Sequence, residues 1–285
     1  MSSLRINRII DKGFQYVGIF ATLFGLIMLA IFLFNILGDG LSRIDWDFLT
    51  NLPSRRASKA GILTAWVGTV WIMILTALIA IPLGVSAGIY LQEYGTKNKL
   101  ATIIEVNISN LAGVPSIIYG LLGLEIFVRL MNMGSSLLAG ACTLSLLILP
   151  VIIVATREAM KAVPNSLREA SYGMGATKWQ TTWYQILPAA SGGIITGVIL
   201  ALSRAVGETA PLIVIGALAY VPFVPQTPLD EFTVLPMQIF NWVSRPQKDF
   251  LENGAAAIIV LLLITFCMNG IAIYFRNKWQ KKINW

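Results

Sequence analysis

The stretch GGIITGVILALSRAVGETAPLIVIGALAYV, residues 192–221, runs for thirty residues with only two charges, Arg204 and Glu208. Everything around that pair is apolar or small. A run of about 18 or more apolar residues can cross a bilayer, whereas a helix of a soluble domain shows a polar face along its length. Read as a membrane span, the stretch sets the class of the whole chain, because five further predominantly apolar runs match it: 16–37, 64–91, 103–124, 135–156 and 254–275. The 285-residue chain is 56% hydrophobic and 12% charged, against roughly 25% charged in a soluble domain. In hydrocarbon a backbone has to satisfy its own hydrogen bonds, so each run is predicted to be a helix. The expected fold is an all-α polytopic membrane protein with six transmembrane helices.

Arg5, Arg8 and Lys12 open the first run as a signal peptide would open. Its apolar core is longer than the ~7–15 residues of a signal core, and no small-residue cleavage pattern follows. It is therefore predicted to stay as the first helix. Residues 1–63 then form that helix and a first outer loop, and 64–285 form a core of five helices with a long inner loop at 157–189. Basic residues set the orientation. With the N-terminus inside, the inner side carries Arg5, Arg8, Lys12, Lys97, Lys99, Arg157, Lys161, Arg168, Lys178, Arg276, Lys278, Lys281 and Lys282. The outer side carries only Arg43, Arg55, Arg56, Lys59, Arg129, Arg245 and Lys248, so both termini are expected in the cytoplasm. The net charge of +7 reflects this bias and implies no nucleic acid.

The chain has no histidine, which removes His-based acid–base catalysis, His triads and His metal ligands. Cys142 and Cys267 fall in apolar runs with no metal-ligating neighbour, and no disulfide is expected. With no acidic metal cluster in the spans either, a membrane-embedded enzyme has nothing to work with. Gly84 and Gly88, and again Gly193 and Gly197, have the GxxxG spacing that permits close helix contact. Pro82 and Pro115 interrupt the second and third spans. Of the two large outer loops, 38–63 and 222–253, the second holds five prolines and reads as rigid and irregular. Its middle, LPMQIFNWV at 235–243, is expected to lie along the outer interface, where tryptophan is favoured.

The inner loop reads REAMKAVPNSLREASYGMGATKWQTTWYQILP from Arg157 to Pro188. Ser166 and Glu169 have capping-box spacing, so a helix is predicted to start at Ser166 and to stop at Gly173 and Gly175. Thr177 and Gln180 mark a second start, and Pro188 is expected to end the helix that follows. Glu169 either caps its own helix or serves a partner. Residues 169–188 resemble the EAA loop of ABC importer permeases: Glu169, Ala170, Gly175, Leu187 and Pro188 fit in register, while Ser171 and Gln185 depart from the pattern. The resemblance implies the type I ABC importer permease fold and a coupling helix that docks into a separate ATP-hydrolysing subunit. Consistent with that, the chain has no G-x-x-x-x-G-K-[ST] phosphate loop. It is expected to be non-catalytic and to hold no cofactor of its own, with ATP and Mg bound by the partner ATPase.

On a helical wheel, Ala190, Gly193, Gly197, Ala201, Arg204, Glu208 and Pro211 share one face, with Arg204 and Glu208 spaced to pair. A charge within a membrane costs at least ~2.5–3.5 kcal/mol and therefore needs a partner, a wet path or both. Pro211 would leave the Gly207 carbonyl free beside the pair. Either the pair is a structural clasp between helices, or it marks a transport site near mid-membrane. AVGETAPL at 205–212 and LAGVPSIIYGLLGL at 111–124 resemble the phosphate-importer permeases of the PstA family, in register over residues about 60–275.

That resemblance implies phosphate import, with Arg204 drawing in the anion and Glu208 holding Arg204. Thr209 and Ser203 would add hydroxyl donors. Ser116 and Tyr119 either line the path or satisfy backbone loosened by Pro115, and Glu125 with Arg129 reads as an exposed pair. The implied partners are a homologous permease (PstC), a dimeric ATPase subunit (PstB) and an extracytoplasmic phosphate-binding protein (PstS), in a bacterial plasma membrane. Import of another oxyanion, such as sulfate or molybdate, is the alternative. A passive anion channel would have no use for the loop.

Overall fold

The computed structural model describes residues 2–95, 99–217 and 220–280. Lys97, Lys281 and Lys282, counted above for orientation, lie outside the described residues. In chain order the helices are α1 (Ser2–Gly40), α2 (Trp46–Thr50), α3 (Leu63–Ile89), α4 (Lys99–Leu111), α5 (Ser116–Gly123) and α6 (Leu137–Lys161). They continue with α7 (Asn165–Gly173), α8 (Lys178–Thr181), α9 (Leu187–Gly207), α10 (Ala210–Val214), α11 (Leu235–Val243) and α12 (Asp249–Gln280). Among the described residues the only strand-like pairing is an isolated bridge between Ser136 and Glu231. Five helical stretches are long and apolar enough to cross a membrane: Ile10–Arg43, Leu63–Tyr94, Leu137–Lys161, Lys178–Gly207 and Asp249–Lys278. A bent pair, Thr102–Leu111 and Ser116–Leu130, turns by 102° at its break and makes a sixth crossing if its two halves count as one span.

α6 is the axis of the bundle, and both glycine pairs exist to reach it. A Cβ on Gly84 would lie 2.7 Å from Ile152 Cγ2, and one on Gly88 would lie 2.7 Å from Thr156 Cβ. The numbers rise together, so α3 runs parallel to α6. Gly193 and Gly197 rest instead on Ala159 and Ala155, so α9 runs antiparallel on a neighbouring face. Small residues let these backbones approach, and van der Waals contact holds them where lipid removes any hydrophobic drive. Leu144, Leu147, Ile148 and Ile152 fill the resulting core.

Two spans depart from expectation. The third is not one straight helix. Pro115 has no N–H and pushes Val114 out of the helical region, while Gly113 makes the turn, so the chain breaks between α4 and α5. The Tyr119 hydroxyl donates to the Leu111 carbonyl at 2.7 Å and braces the corner. The fifth span begins earlier and ends earlier than 192–221. Pro188 does not end a helix: Thr182–Ile186 wind as a π-turn, and Pro188 falls in the first turn of α9, where a missing N–H is tolerated. The helix stops at Gly207, and Pro211 falls in the first turn of the new helix α10. Pro211 therefore does not strip a mid-helix bond from Gly207.

The loops are tightly built. Arg43 donates through Nε to Asn253 Oδ1 at 2.9 Å and through Nη2 to Ala60 O at 3.1 Å, which pins the first loop to the start of α12. α11 packs inward with one face, while Phe240 and Val243 stay exposed on the other. It tucks against α12 and α3, with Leu235 N donating to Thr69 Oγ1 at 2.8 Å, and Trp242 is only 1% exposed between Phe48 (6.0 Å) and Phe250 (6.2 Å). Its partners come from the first loop and the start of α12. Trp242→Ala is expected to cost about 3–5 kcal/mol, read as a clear loss of thermal stability in detergent; an unchanged melting temperature contradicts this packing. At Asp230 the Thr227 hydroxyl, with the Thr227 and Gln226 amides, holds the carboxyl below the usual range. That support is present at neutral pH and is lost as pH falls through the lowered value.

In the long loop, α7 begins at Asn165 with Pro164 before it and no side-chain cap, so Ser166 does not form the predicted capping box. Pro164 sits in an extended conformation that starts the helix one residue early. The second box does form: Thr177 Oγ1 accepts from Gln180 N and Gln180 Oε1 accepts from Thr177 N. Between them Gly175 sits at φ +83°, a left-handed turn that suits glycine.

Candidate functional site

Arg204 lies in the last turn of α9, and Glu208 is the first residue beyond it. Gly207 ends the helix and Glu208 turns extended at φ −77°, ψ 118°. Arg204 Nε donates to Glu208 Oε1 at 3.2 Å. The pair forms as the spacing predicts, but across a helix end. Glu208 is 18% exposed and Arg204 41%, and the other guanidinium N–H groups make no hydrogen bond within the described residues. Continuing the register of Gly193 on Ala159 and Gly197 on Ala155 places Arg204 level with Ile148, near the middle of α6. A cation with open donors, steadied by a carboxylate at mid-height, can take an oxyanion.

The other predicted residues fall into two groups. Thr209 stands at the head of α10, half-buried, beside the pair. α10 packs on α5, where a Cβ on Gly120 would lie 2.7 Å from Pro211 Cα. That contact brings Ser116, at the start of α5, and the buried Tyr119 to the same region, and Tyr119 lies within electrostatic reach of Arg204. The Tyr119 hydroxyl is spent on the corner. Ser203 turns elsewhere: its hydroxyl lies 2.8 Å from Ile199 O and 2.7 Å from Asn269 Oδ1 of α12. Glu125 and Arg129 pair at 3.1 Å, both more than half exposed, and add little.

At the loop, Glu169 and Ala170 are exposed on α7, and Glu169 has no partner among the described residues and caps nothing. Leu187 and Pro188 are half-buried at the foot of α9. Beneath α7 runs a groove of ≈ 660 Å³ lined by Ala159, Val163, Leu167, Ala170 and Ala189. Polar ties therefore carry much of the hold on α7. Ser171 of α7 shares a hydrogen bond of 2.8 Å with Thr181 of α8, Arg168 of α7 meets Glu93 at 2.9 Å, and α8 is itself held by Lys178, 5.0 Å over the Tyr94 ring. Sequence reasoning missed Glu93, Glu105 and Asn269. The signal for the two acids was present: they flank the inner connection opposite Arg157 and Arg168, but only basic residues were weighed there.

The described residues hold no cluster able to bind a metal ion. Residues 80–281 match the family described as "Binding-protein-dependent transport system inner membrane component". The phosphate transport system permease protein PstA of Haemophilus influenzae is 33% identical, covering 93% of this chain and 93% of its own. PstA of Yersinia pestis is 35% identical over 91% and 86%. A bacterial alginate ABC transporter, solved with a pentasaccharide-bound periplasmic protein, shares the fold at TM-score 0.68 and 16% identity over 94% of both chains. The MetNI methionine ABC transporter does so at TM-score 0.60 and 20% identity, over 76% of this chain and 95% of the other. The chain therefore belongs to the inner-membrane-component family of binding-protein-dependent transport systems, as a multi-pass plasma-membrane permease subunit of an ABC importer.

Proposed function

We propose that this chain is a transmembrane subunit of an ATP-driven importer of inorganic phosphate. The observation that carries the reading is the Arg204–Glu208 pair at mid-height, with guanidinium donors left open. Relatives named as phosphate permeases, about a third identical over nearly the whole chain, support the substrate. Arg204 binds the oxyanion through its planar fork. Glu208 holds the guanidinium, keeps the empty path near neutral and accepts a hydrogen bond from a protonated phosphate oxygen. Thr209 adds a hydroxyl donor. Ser203 serves the α9–α12 contact, and Ser116 and Tyr119 shape the corner that faces the pair.

Both termini lie in the cytoplasm on this reading, so α7 faces the ATPase. Glu169, Ala170 and Gly175 form the docking surface, and Leu187 and Pro188 anchor it to α9. ATP and Mg are bound by a dimeric ATPase equivalent to PstB, beside a second permease equivalent to PstC and a phosphate-binding protein equivalent to PstS. The permease itself catalyses nothing and holds no cofactor. Purification of the tagged chain should bring down an ATPase subunit, and phosphate-loaded binding protein should stimulate its hydrolysis while a sulfate- or molybdate-loaded one does not. Stimulation by either of those two instead reassigns the substrate, and an absent ATPase refutes the importer reading.

A further inference from the structure

The connection between the second and third spans leaves α3 through a π-turn, Tyr90–Tyr94, and leads into α4. An acid stands on each side of it, and each meets an arginine of the α6–α7 segment. Arg168 Nη2 lies 2.9 Å from Glu93 Oε1, with the two side chains only 15% and 7% exposed. The same guanidinium donates to the carbonyls of Met160 and Val163, at 3.0 and 2.9 Å, so one side chain joins α7, the end of α6 and the end of α3. Arg157, itself buried, lies 2.7 Å from Glu105 Oε1 of α4. Glu105 is 39% exposed, so this second pair is buried only on its arginine side. Parting either pair strands a charge away from water, both charges at Glu93–Arg168 and the guanidinium at Arg157.

Beyond Glu105 the physical line continues. The Tyr119 hydroxyl holds the Leu111 carbonyl across the 102° bend. α5 then packs through Gly120 on Pro211, three residues past Glu208. We infer that Glu93–Arg168, which ties α7 to the end of the second span, and Glu105–Arg157, which ties α4 to α6, form a two-point clamp through which α4 follows the α6–α7 segment. Displacement of the loop then reaches the corner of the third span, and through it the Arg204–Glu208 pair. The four are positioning residues, and none touches the transported anion. The inference rests on the reading of the chain as an importer subunit driven through its α7 loop.

The test uses the assembled transporter in liposomes and reads phosphate taken up per ATP hydrolysed. Glu93→Gln and Glu105→Gln are expected to lower that ratio about tenfold, within the range that coupling residues give, while hydrolysis continues. Glu93→Asp, which keeps the carboxylate and leaves Arg168 on its carbonyls, is expected to retain most of it. If Glu93→Gln fails to assemble, Arg168→Lys, which keeps the charge and loses the fork, is held to the same standard. A ratio unchanged in both single variants overturns the clamp, as does a loss of uptake and hydrolysis in step that Glu93→Asp shares. Hydrogen exchange of the α4 amides gives a readout independent of substrate: it should change on ATP addition in wild type and not in Glu105→Gln. A change that persists in Glu105→Gln, or none in wild type, overturns the clamp whatever anion is carried. Absence of phosphate uptake in wild type counts against the substrate reading alone.

Discussion

Arg204→Gln is expected to lower ATP-driven phosphate uptake at least about thirtyfold while the complex still assembles. A hydrogen bond to a charged group contributes about 1.5–3 kcal/mol, a guanidinium fork can make two of them to an oxyanion, and each 1.4 kcal/mol is a factor of ten. Assembly is expected to survive because Arg204 is 41% exposed and, among the described residues, bonds only to Glu208. The helix contacts around it run through Ala201 and Ala205, which the substitution leaves alone. Arg204→Lys should fall between, since it keeps the charge but not the planar fork. If uptake per assembled complex is unchanged in Arg204→Gln, the pair is a structural clasp and the anion passes elsewhere.

Glu208→Gln is expected to weaken the preference for phosphate over sulfate. At neutral pH phosphate still carries a proton that a carboxylate can accept, whereas sulfate offers only acceptors. Sulfate beside Glu208 therefore leaves an unpaired acceptor and a like-charge contact, at about 1–3 kcal/mol or roughly 5- to 150-fold. Glutamine removes the charge and supplies an N–H₂ donor that sulfate can use. Competition of unlabelled sulfate against labelled phosphate for the purified complex measures this. Discrimination equal to wild type would remove Glu208 from contact with the anion.

What could be read from the residues alone follows from the range of the forces involved. Hydropathy is a local sum, so the five long spans and the apolar run of the bent pair were visible, as was the i, i+4 spacing of Arg204 and Glu208. Capping is also local, and the Thr177 box formed as read. The Ser166 box failed because Pro164 started the helix first. Proline shows where locality ends. Pro82 and Pro150 sit inside continuous helices braced by the α3–α6 packing, whereas Pro115, preceded by Gly113, breaks its span outright. The burial of Trp242 was not legible because its cage is assembled from Phe48 and Phe250, on two other elements. The arginine–glutamate ties of Arg157 and Arg168 likewise join residues 52 and 75 positions apart, a pairing that no local pattern announces.

The central claim is that phosphate passes Arg204 and Glu208 under the drive of a partner ATPase. Its most direct test is uptake of labelled phosphate into liposomes holding the assembled transporter, with and without ATP, for wild type and Arg204→Gln in parallel. The account predicts uptake by wild type only when ATP is present, and near-background uptake by the variant in a complex that still hydrolyses ATP. Uptake by wild type without ATP, or equal uptake by both proteins with it, would contradict the account.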